Sequence, residues 1–266
     1  MHSSVLHVDL TVNYLGKPGL LRGLQLDVQP GEIVGLAGES GSGKSTLALA
    51  IMRLLDPRRA RLEGQILWQG TDLLRCTERE MRRIRGKGIG LVLQGASSSF
   101  NPMLSIGAHL REAWRAHSDE NWAQHGKAHA ASLLQSVELP ADDAFFERYP
   151  AQISIGQAQR VLIAMAVMHK PSLVIADEPT SALDLLTQAQ VLKLVQSLSR
   201  SSSVSWLFIS HDLPVVAAVC DRICILHGGQ IVESGTCATV FERPKHPYTQ
   251  AILGALPQPN VASRIL

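Results

Sequence analysis

The sequence predicts an α/β fold: a mostly parallel β-sheet packed between helices, with a small antiparallel β part and an inserted α-helical subdomain. Three observations predict it. Short apolar runs at 33–37, 89–93, 173–176, 206–209 and 223–226 alternate with helical stretches, as in parallel strands covered on both faces. The opening residues alternate apolar and polar with period two, the mark of strands with one buried face. Between Gly95 and Gln159 the strand signal disappears and the chain turns Ala-, His- and Gln-rich.

In chain order, Leu6, Val8, Leu10, Val12 and Tyr14 alternate with His7, Asp9, Thr11 and Asn13, and Leu24, Leu26 and Val28 repeat the pattern. After the turn Pro30-Gly31, the run Ile33 to Ala37 is apolar on both faces, as a central strand would be. A glycine-rich loop follows, and KSTLALAIMRLL, Lys44 to Leu55, reads as a helix of good helix formers, apolar on most sides. Further helices are predicted around Ile106 to Ala116 and Lys127 to Val137. These elements divide the chain into a core, residues 1–94, a helical subdomain, 95–159, a second part of the core, 160–245, and a short tail, 246–266. No internal repeat is visible, and only PQPNVASRIL is expected to be loosely held.

Composition excludes several classes. With 266 residues and 45% hydrophobic content the chain can bury a large core. Lys and Arg number 25 against 23 Asp and Glu, too balanced for a nucleic-acid footprint, so no nucleic-acid partner is expected. The start, MHSSVLHVDL, has no basic region followed by an apolar core, and the longest apolar stretches are too short to span a bilayer. A soluble, unsecreted chain is expected. Cys76, Cys220, Cys224 and Cys237 show no C-x-x-C spacing and read as free buried thiols.

The chemistry begins at Gly38-Glu39-Ser40-Gly41-Ser42-Gly43-Lys44-Ser45, followed by Thr46, which fits G-x-x-x-x-G-K-[ST]. Glycines let successive backbone N–H groups turn toward phosphate oxygens at a helix N-terminus; Lys44 adds positive charge, and the Ser45 hydroxyl can ligate Mg²⁺. The competing reading is a tight turn, which the strand before and the helix after disfavour. The apolar run Leu173 to Ala176 ends in Asp177 and Glu178. One carboxylate can hold the Mg²⁺ hydration shell and its neighbour can polarise an attacking water. Alone, such a pair is more often a turn or helix cap; beside a phosphate loop it points to a P-loop nucleoside-triphosphatase using ATP and Mg²⁺.

Around these motifs the sequence resembles the ATP-binding-cassette (ABC) family over nearly its whole length. The resemblance places Gln94 as the Q-loop glutamine that contacts Mg²⁺ or water and senses membrane subunits. It places Ile153-Ser154-Ile155-Gly156-Gln157 as the LSGGQ signature, Ser181 to Asp184 as the D-loop, His211 as the switch histidine and Tyr14 as the aromatic that stacks on adenine. Each has a bland alternative: a surface glutamine, a helix cap, the end of a strand's apolar face. The resemblance implies that two such subunits sandwich two ATP molecules head to tail and pull on two separate membrane permeases.

The signature's first glycine is Ile155 here. A β-branched residue restricts the backbone and crowds the partner's phosphate, which predicts a weakened composite site; the alternative is that Ile155 points away harmlessly. The departure favours a paralogue, rather than an identical chain, as partner cassette. Gln94 with SSSFNP and Ile106, IADEPTSALD, and His246-Pro247-Tyr248-Thr249-Gln250 resemble the subgroup that imports oligopeptides, dipeptides and nickel or related chelates. That implies an extracytoplasmic solute-binding protein and a place at the cytoplasmic face of the membrane. No longer cysteine-bearing extension is expected after HPYTQAILGALP. Non-transport ATPases of the family and a weakly hydrolysing regulatory cassette are the alternatives. His117, His125 and His129, and the cluster Arg79, Arg82, Arg83, Arg85 and Lys87, read as solvated surface.

Overall fold

The computed structural model describes residues 4–256, so the expectation for PQPNVASRIL lies outside the described residues. The elements of the first part are β1 (Leu6–Tyr14), β2 (Lys17–Val28), β3 (Ile33–Gly38), α1 (Lys44–Ile51), β4 (Ala60–Trp68), β5 (Thr71–Asp72), α2 (Glu78–Ile84) and β6 (Ile89–Val92). A helical stretch follows, with α3 (Ile106–Arg115), α4 (Lys127–Ser136), α5 (Asp143–Phe146) and α6 (Ile155–Val167). The chain then runs through β7 (Leu173–Asp177), α7 (Leu185–Ser202), β8 (Ser205–Ser210), α8 (Leu213–Val219), β9 (Arg222–His227), β10 (Gln230–Thr236), α9 (Cys237–Glu242) and α10 (Pro247–Gly254).

Two sheets result. The antiparallel one has strand order β2-β1-β4-β5, and the larger one has order β10-β9-β3-β8-β7-β6. In the larger sheet every pair is parallel except β10 with β9, so the mixed α/β class predicted from the apolar runs is the one found.

Period two explains how the core is split. Along β3, β7, β8 and β9, Ile33, Ala37, Val174, Ala176, Trp206, Phe208, Ile223 and Ile225 enter one apolar cluster. Their neighbours Val34, Leu36, Leu173, Ile175, Leu207, Ile209, Cys224 and Leu226 enter another. Successive side chains of a strand point to opposite faces, so a sheet that is apolar on both faces must be covered on both. The antiparallel sheet and α1 cover one face through Leu6, Val8, Leu10, Leu47 and Ile51. The helical stretch covers the other through Ile106, Leu110, Phe145 and Val161.

Two boundaries differ from the sequence reading. The helix begun at Lys44 ends at Ile51 rather than Leu55, because Arg53 turns left-handed at φ 50° and its guanidinium donates to the Leu73 carbonyl at 3.2 Å. The proposed division at 159 and 160 falls inside α6, which packs on the sheet and on the helical stretch alike, so one helix belongs to both. Of the three histidines read as a solvated face, His125 is exposed, whereas His117 and His129 are half-buried. His129 Nε2 lies 2.9 Å from the Met168 carbonyl oxygen, and the rings of His129 and His169 lie 5.3 and 5.9 Å from that of Trp114. Arg85 likewise turns inward, donating to Glu78 at 2.6 Å and to the Met52 carbonyl at 2.8 Å.

Candidate functional site

Four parallel strands bring their carboxyl ends together, the place where open α/β sheets bind ligands. β3 runs into the glycine loop, β7 ends at Asp177 with Glu178 next, β8 is followed by His211, and β6 is followed by Gln94. A cavity of about 450 Å³ opens there, lined by Leu20, Ser40, Gly41, Gly43, Lys44, Ser45, Thr46, Gln94, Glu178 and His211.

The loop is shaped by contacts that forbid side chains. Gly43 sits at φ 108°, and a Cβ on it would stand 2.6 Å from Leu21 Cδ2. Gly43 also caps α1 without offering a side-chain acceptor, which leaves the first N–H groups of the helix open toward the cavity. Lys44 is buried, and its ammonium donates to the carbonyls of Gly38 and Glu39, both at 2.8 Å. Burial lowers its pKa, opposed by the nearby charges of Glu178, Asp177 and Glu39. The Ser42 hydroxyl is buried without a hydrogen-bond partner.

Asp177 is buried, and its Oδ1 has no hydrogen-bond partner. Burial raises its pKa, and the Ser45 hydroxyl, which reaches the carboxyl, opposes the rise. A buried carboxylate oxygen without a donor, beside a hydroxyl of the phosphate loop, is the oxygen-only environment a hard divalent cation takes; these residues fit Mg²⁺. Glu178 adopts φ 50°, a costly backbone for a residue with a side chain. It is held there by its N–H donating to the Ile209 carbonyl at 2.9 Å and by the Ser181 hydroxyl donating to its carbonyl at 2.9 Å. Its carboxylate accepts from the His211 N–H at 3.0 Å and lies 2.7 Å from His211 Nδ1. The imidazole remains largely exposed, facing the cavity.

The structure therefore gathers Ser40, Gly41, Gly43, Lys44, Ser45, Thr46, Gln94, Glu178 and His211 around one cavity; Gly38, Glu39, Ser42 and Asp177 are not among its lining residues. The signature residues are not among its lining. Ser154 caps α6: its hydroxyl accepts from the Gln157 N–H at 3.1 Å while the Gln157 side chain accepts from the Ser154 N–H at 3.0 Å. Ile155 is 49% exposed at an ordinary first helical position, so the backbone restriction expected of a β-branched residue does not arise. Gly156 is the residue that must be small, since a Cβ there would stand 2.3 Å from Thr187 Cγ2. Asp184 caps α7, accepting from Leu186 and Thr187 N–H groups at 3.0 Å and from the Thr187 hydroxyl at 2.7 Å.

Tyr14 ends β1, opposite Lys17 and Ala60, and packs partly buried against the apolar cluster; it is not among the cavity's lining residues. Leu20, from β2, is, and nothing in the period of that strand singled it out.

A glycine loop around an uncapped helix start, a lysine within it, an unpartnered strand-end carboxylate and a glutamate bonded to a histidine define a P-loop nucleoside-triphosphatase. The ABC transporter family matches residues 21–181, and the C-terminal region of oligopeptide/dipeptide transporters matches residues 232–266. The chain belongs to the ABC transporter ATP-binding family and is an ATPase coupled to transmembrane solute transport. It is 40% identical to the Dipeptide transport ATP-binding protein DppD of Bacillus subtilis over 95% of this chain and 75% of that one. It is 41% identical to the Oligopeptide transport ATP-binding protein OppD of the same organism, over 92% and 68%. Its similarity to the Glutathione import ATP-binding protein GsiA of Salmonella paratyphi A, 40% identical, covers 90% of this chain and 39% of that one. Among solved structures, the dimeric bacterial ABC transporter cassette MJ0796 superposes with a TM-score of 0.76 at 26% identity, over 87% of this chain and 98% of the other. The same cassette in a post-hydrolysis state with ADP and Pi superposes with a TM-score of 0.75.

Proposed function

We propose that this chain is the motor of an ABC importer for peptides, in which ATP is cut at the cavity formed by the carboxyl ends of β3, β6, β7 and β8. The observation that carries this is the unpartnered, buried Asp177 oxygen beside Ser45, next to a strained Glu178 already bonded to His211. The open N–H groups of the loop and Lys44 take the phosphates, exchanging the ammonium's carbonyl partners for phosphate oxygens. Ser45, Asp177 and Gln94 would hold Mg²⁺, which when bound supplies positive charge to the phosphate oxygens. Glu178 draws the proton from the attacking water, and His211, bonded through Nδ1, turns its other edge to the γ-phosphate. Tyr14, at the end of β1, takes the adenine ring.

The signature Ser154 to Gln157 and the D-loop Ser181 to Asp184 are not among the residues lining this cavity, and in this reading they serve a partner cassette's nucleotide in a head-to-tail pair. Closure of that pair acts on two membrane permeases fed by a solute-binding protein. None of the described helices is long and apolar enough to cross a membrane; in this reading the chain sits against its permeases at the cytoplasmic face. The C-terminal match and the relatives' names favour peptides over nickel chelates as solute.

The test is reconstitution of the chain with its permeases and partner cassette in vesicles. ATP-dependent accumulation of a labelled dipeptide, lost with Lys44→Ala, is expected. Accumulation of nickel but not peptide would replace the solute; phosphate release without uptake of either would remove the importer reading.

A further inference from the structure

We infer that Arg160 is a positioning residue for the partner's nucleotide: its guanidinium locks the start of α6 to the start of α7, so that the signature and the D-loop face a partner cassette as one rigid edge. The inference rests on the head-to-tail reading above and concerns a residue outside every motif already described.

The pairing of the two helices follows from their spacing. Residues three and four apart lie on one face of a helix, so Gly156 and Arg160 share a face of α6, and Thr187 and Gln190 share a face of α7. Those faces meet. A Cβ on Gly156 would stand 2.3 Å from Thr187 Cγ2, and one turn further on Arg160 Nη2 donates to the side-chain oxygen of Gln190. The glycine sets how near the helices come, but a lone contact between bare backbone and a methyl group acts as a pivot. Arg160 supplies the second point of contact, and two points a turn apart hold the helices against rotation.

Both ends of this brace reach partner-facing motifs. On α7 the Thr187 hydroxyl donates to Asp184 Oδ2 at 2.7 Å, which ties the contact to the D-loop. On α6, Gly156 lies between Ser154 and Gln157, whose reciprocal hydrogen bonds close the helix start. Arg160 has a third hold on the helical stretch. Its Nη1 donates to the Glu138 carbonyl at 3.3 Å and stands 3.6 Å from the Glu138 carboxylate, at the left-handed turn, φ 56°, that follows α4.

Packing alone does not account for this side chain. Arg160 is the only charged residue in α6, it is 13% exposed, and its Nε is buried with no hydrogen-bond partner. Burying a guanidinium with one donor unmet costs stability relative to an apolar side chain of similar size. A planar fork does account for it, because arginine presents two outer nitrogens at fixed separation to acceptors on two different elements.

The experiment labels the assembled transporter with a photoreactive azido-ATP and reads half-saturation separately on this chain and on the partner cassette, distinguished by a tag. The variants are Arg160→Ala, Arg160→Lys, Gln190→Ala, Arg160→Ala combined with Gln190→Ala, and Ser154→Ala. Arg160→Ala is expected to raise the half-saturating concentration at the partner about three- to ten-fold, the worth of one net hydrogen bond, and to leave that of this chain within about two-fold. Arg160→Lys, which keeps the charge without the fork, is expected to restore little of the loss. Gln190 is exposed, so its truncation leaves the fold intact; a loss of about two- to three-fold at the partner is expected, and the double mutant is expected to lose no more than Arg160→Ala alone. Equal weakening at both cassettes, or losses that add in the double mutant, show a merely structural arginine and overturn the inference. Unchanged partner labelling in Arg160→Ala, with Ser154→Ala impaired, overturns it alone. If Ser154→Ala also leaves the partner's labelling unchanged, the head-to-tail reading fails and takes the inference with it. Should Arg160→Ala not assemble, Gln190→Ala decides, and unaltered partner labelling in that variant overturns the inference.

Discussion

The starts of α1 and α6 are both helix N-termini at the edge of the same molecule, and they are finished in opposite ways. At α1 the cap is Gly43, which offers no side-chain acceptor, and around it lie a buried lysine, an orphaned Ser42 hydroxyl and an unpartnered Asp177 oxygen. At α6 the cap is Ser154, locked with Gln157 in a reciprocal pair of hydrogen bonds, and the neighbouring Ile155 is exposed. An uncapped helix start surrounded by unsatisfied polar groups is unstable alone and ready for an anion. A capped one is content in the monomer and offers an edge to something else. In the head-to-tail pairing proposed above, the difference separates the side that would hold a nucleotide from the side that would complete a partner's.

Substitutions can break or sharpen that contrast. The largest effect belongs to Lys44→Ala, which removes the loop's positive charge; ATP binding measured by calorimetry is expected to fall by roughly 100-fold or more. Next comes Gly156→Ala on the capped side, where a Cβ would press on Thr187 at 2.3 Å. Overpacking of about 1–3 kcal/mol is expected in chemical denaturation, with partial recovery when Thr187→Ala makes room; it should leave nucleotide binding to the isolated chain within about two-fold.

Asp177→Asn probes the opposite trade. Burial raises the Asp177 pKa, so the folded chain holds this proton more tightly than the unfolded chain does. Its favourable contribution is therefore present below the unfolded value, about 3.9, and is lost as pH rises through the folded value. At neutral pH the ionised, unpartnered group costs stability, and the amide is expected to raise Tm of the nucleotide-free chain by a few degrees or about 1 kcal/mol. It should also lower turnover supported by Mg²⁺. A lower Tm would show that the carboxylate is satisfied in solution.

The smallest effect is expected for Ile155→Gly. With its backbone in an ordinary helix start, only its exposed side chain can crowd a partner. A rise in turnover of the assembled pair of about two-fold, roughly 0.4 kcal/mol, is expected. No change would remove the reason for a non-identical partner cassette.

Much of this was legible in the sequence because the signals are local. The run Ile33 to Ala37 and the glycines after it showed strand, loop and helix in consecutive residues, and β1 was found with its ends correct. β4 escaped because Gly64 and flanking polar residues break the alternation of ARLEGQILW; its pairing with β1 along nine residues supplies the order that its own pattern lacks. Leu20 and the inward turn of His129 escaped for the same reason. Their surroundings are set by strands and helices distant in the chain.

The central claim is that this chain's own phosphate-loop side cuts ATP. Phosphate release from the assembled transporter, with Glu178→Gln in this chain alone, tests it most directly. A fall in kcat of about 100-fold or more with ATP binding preserved is the result the account predicts. Turnover close to that of the unaltered assembly would contradict it, placing hydrolysis at the partner cassette and leaving this chain as the regulatory half.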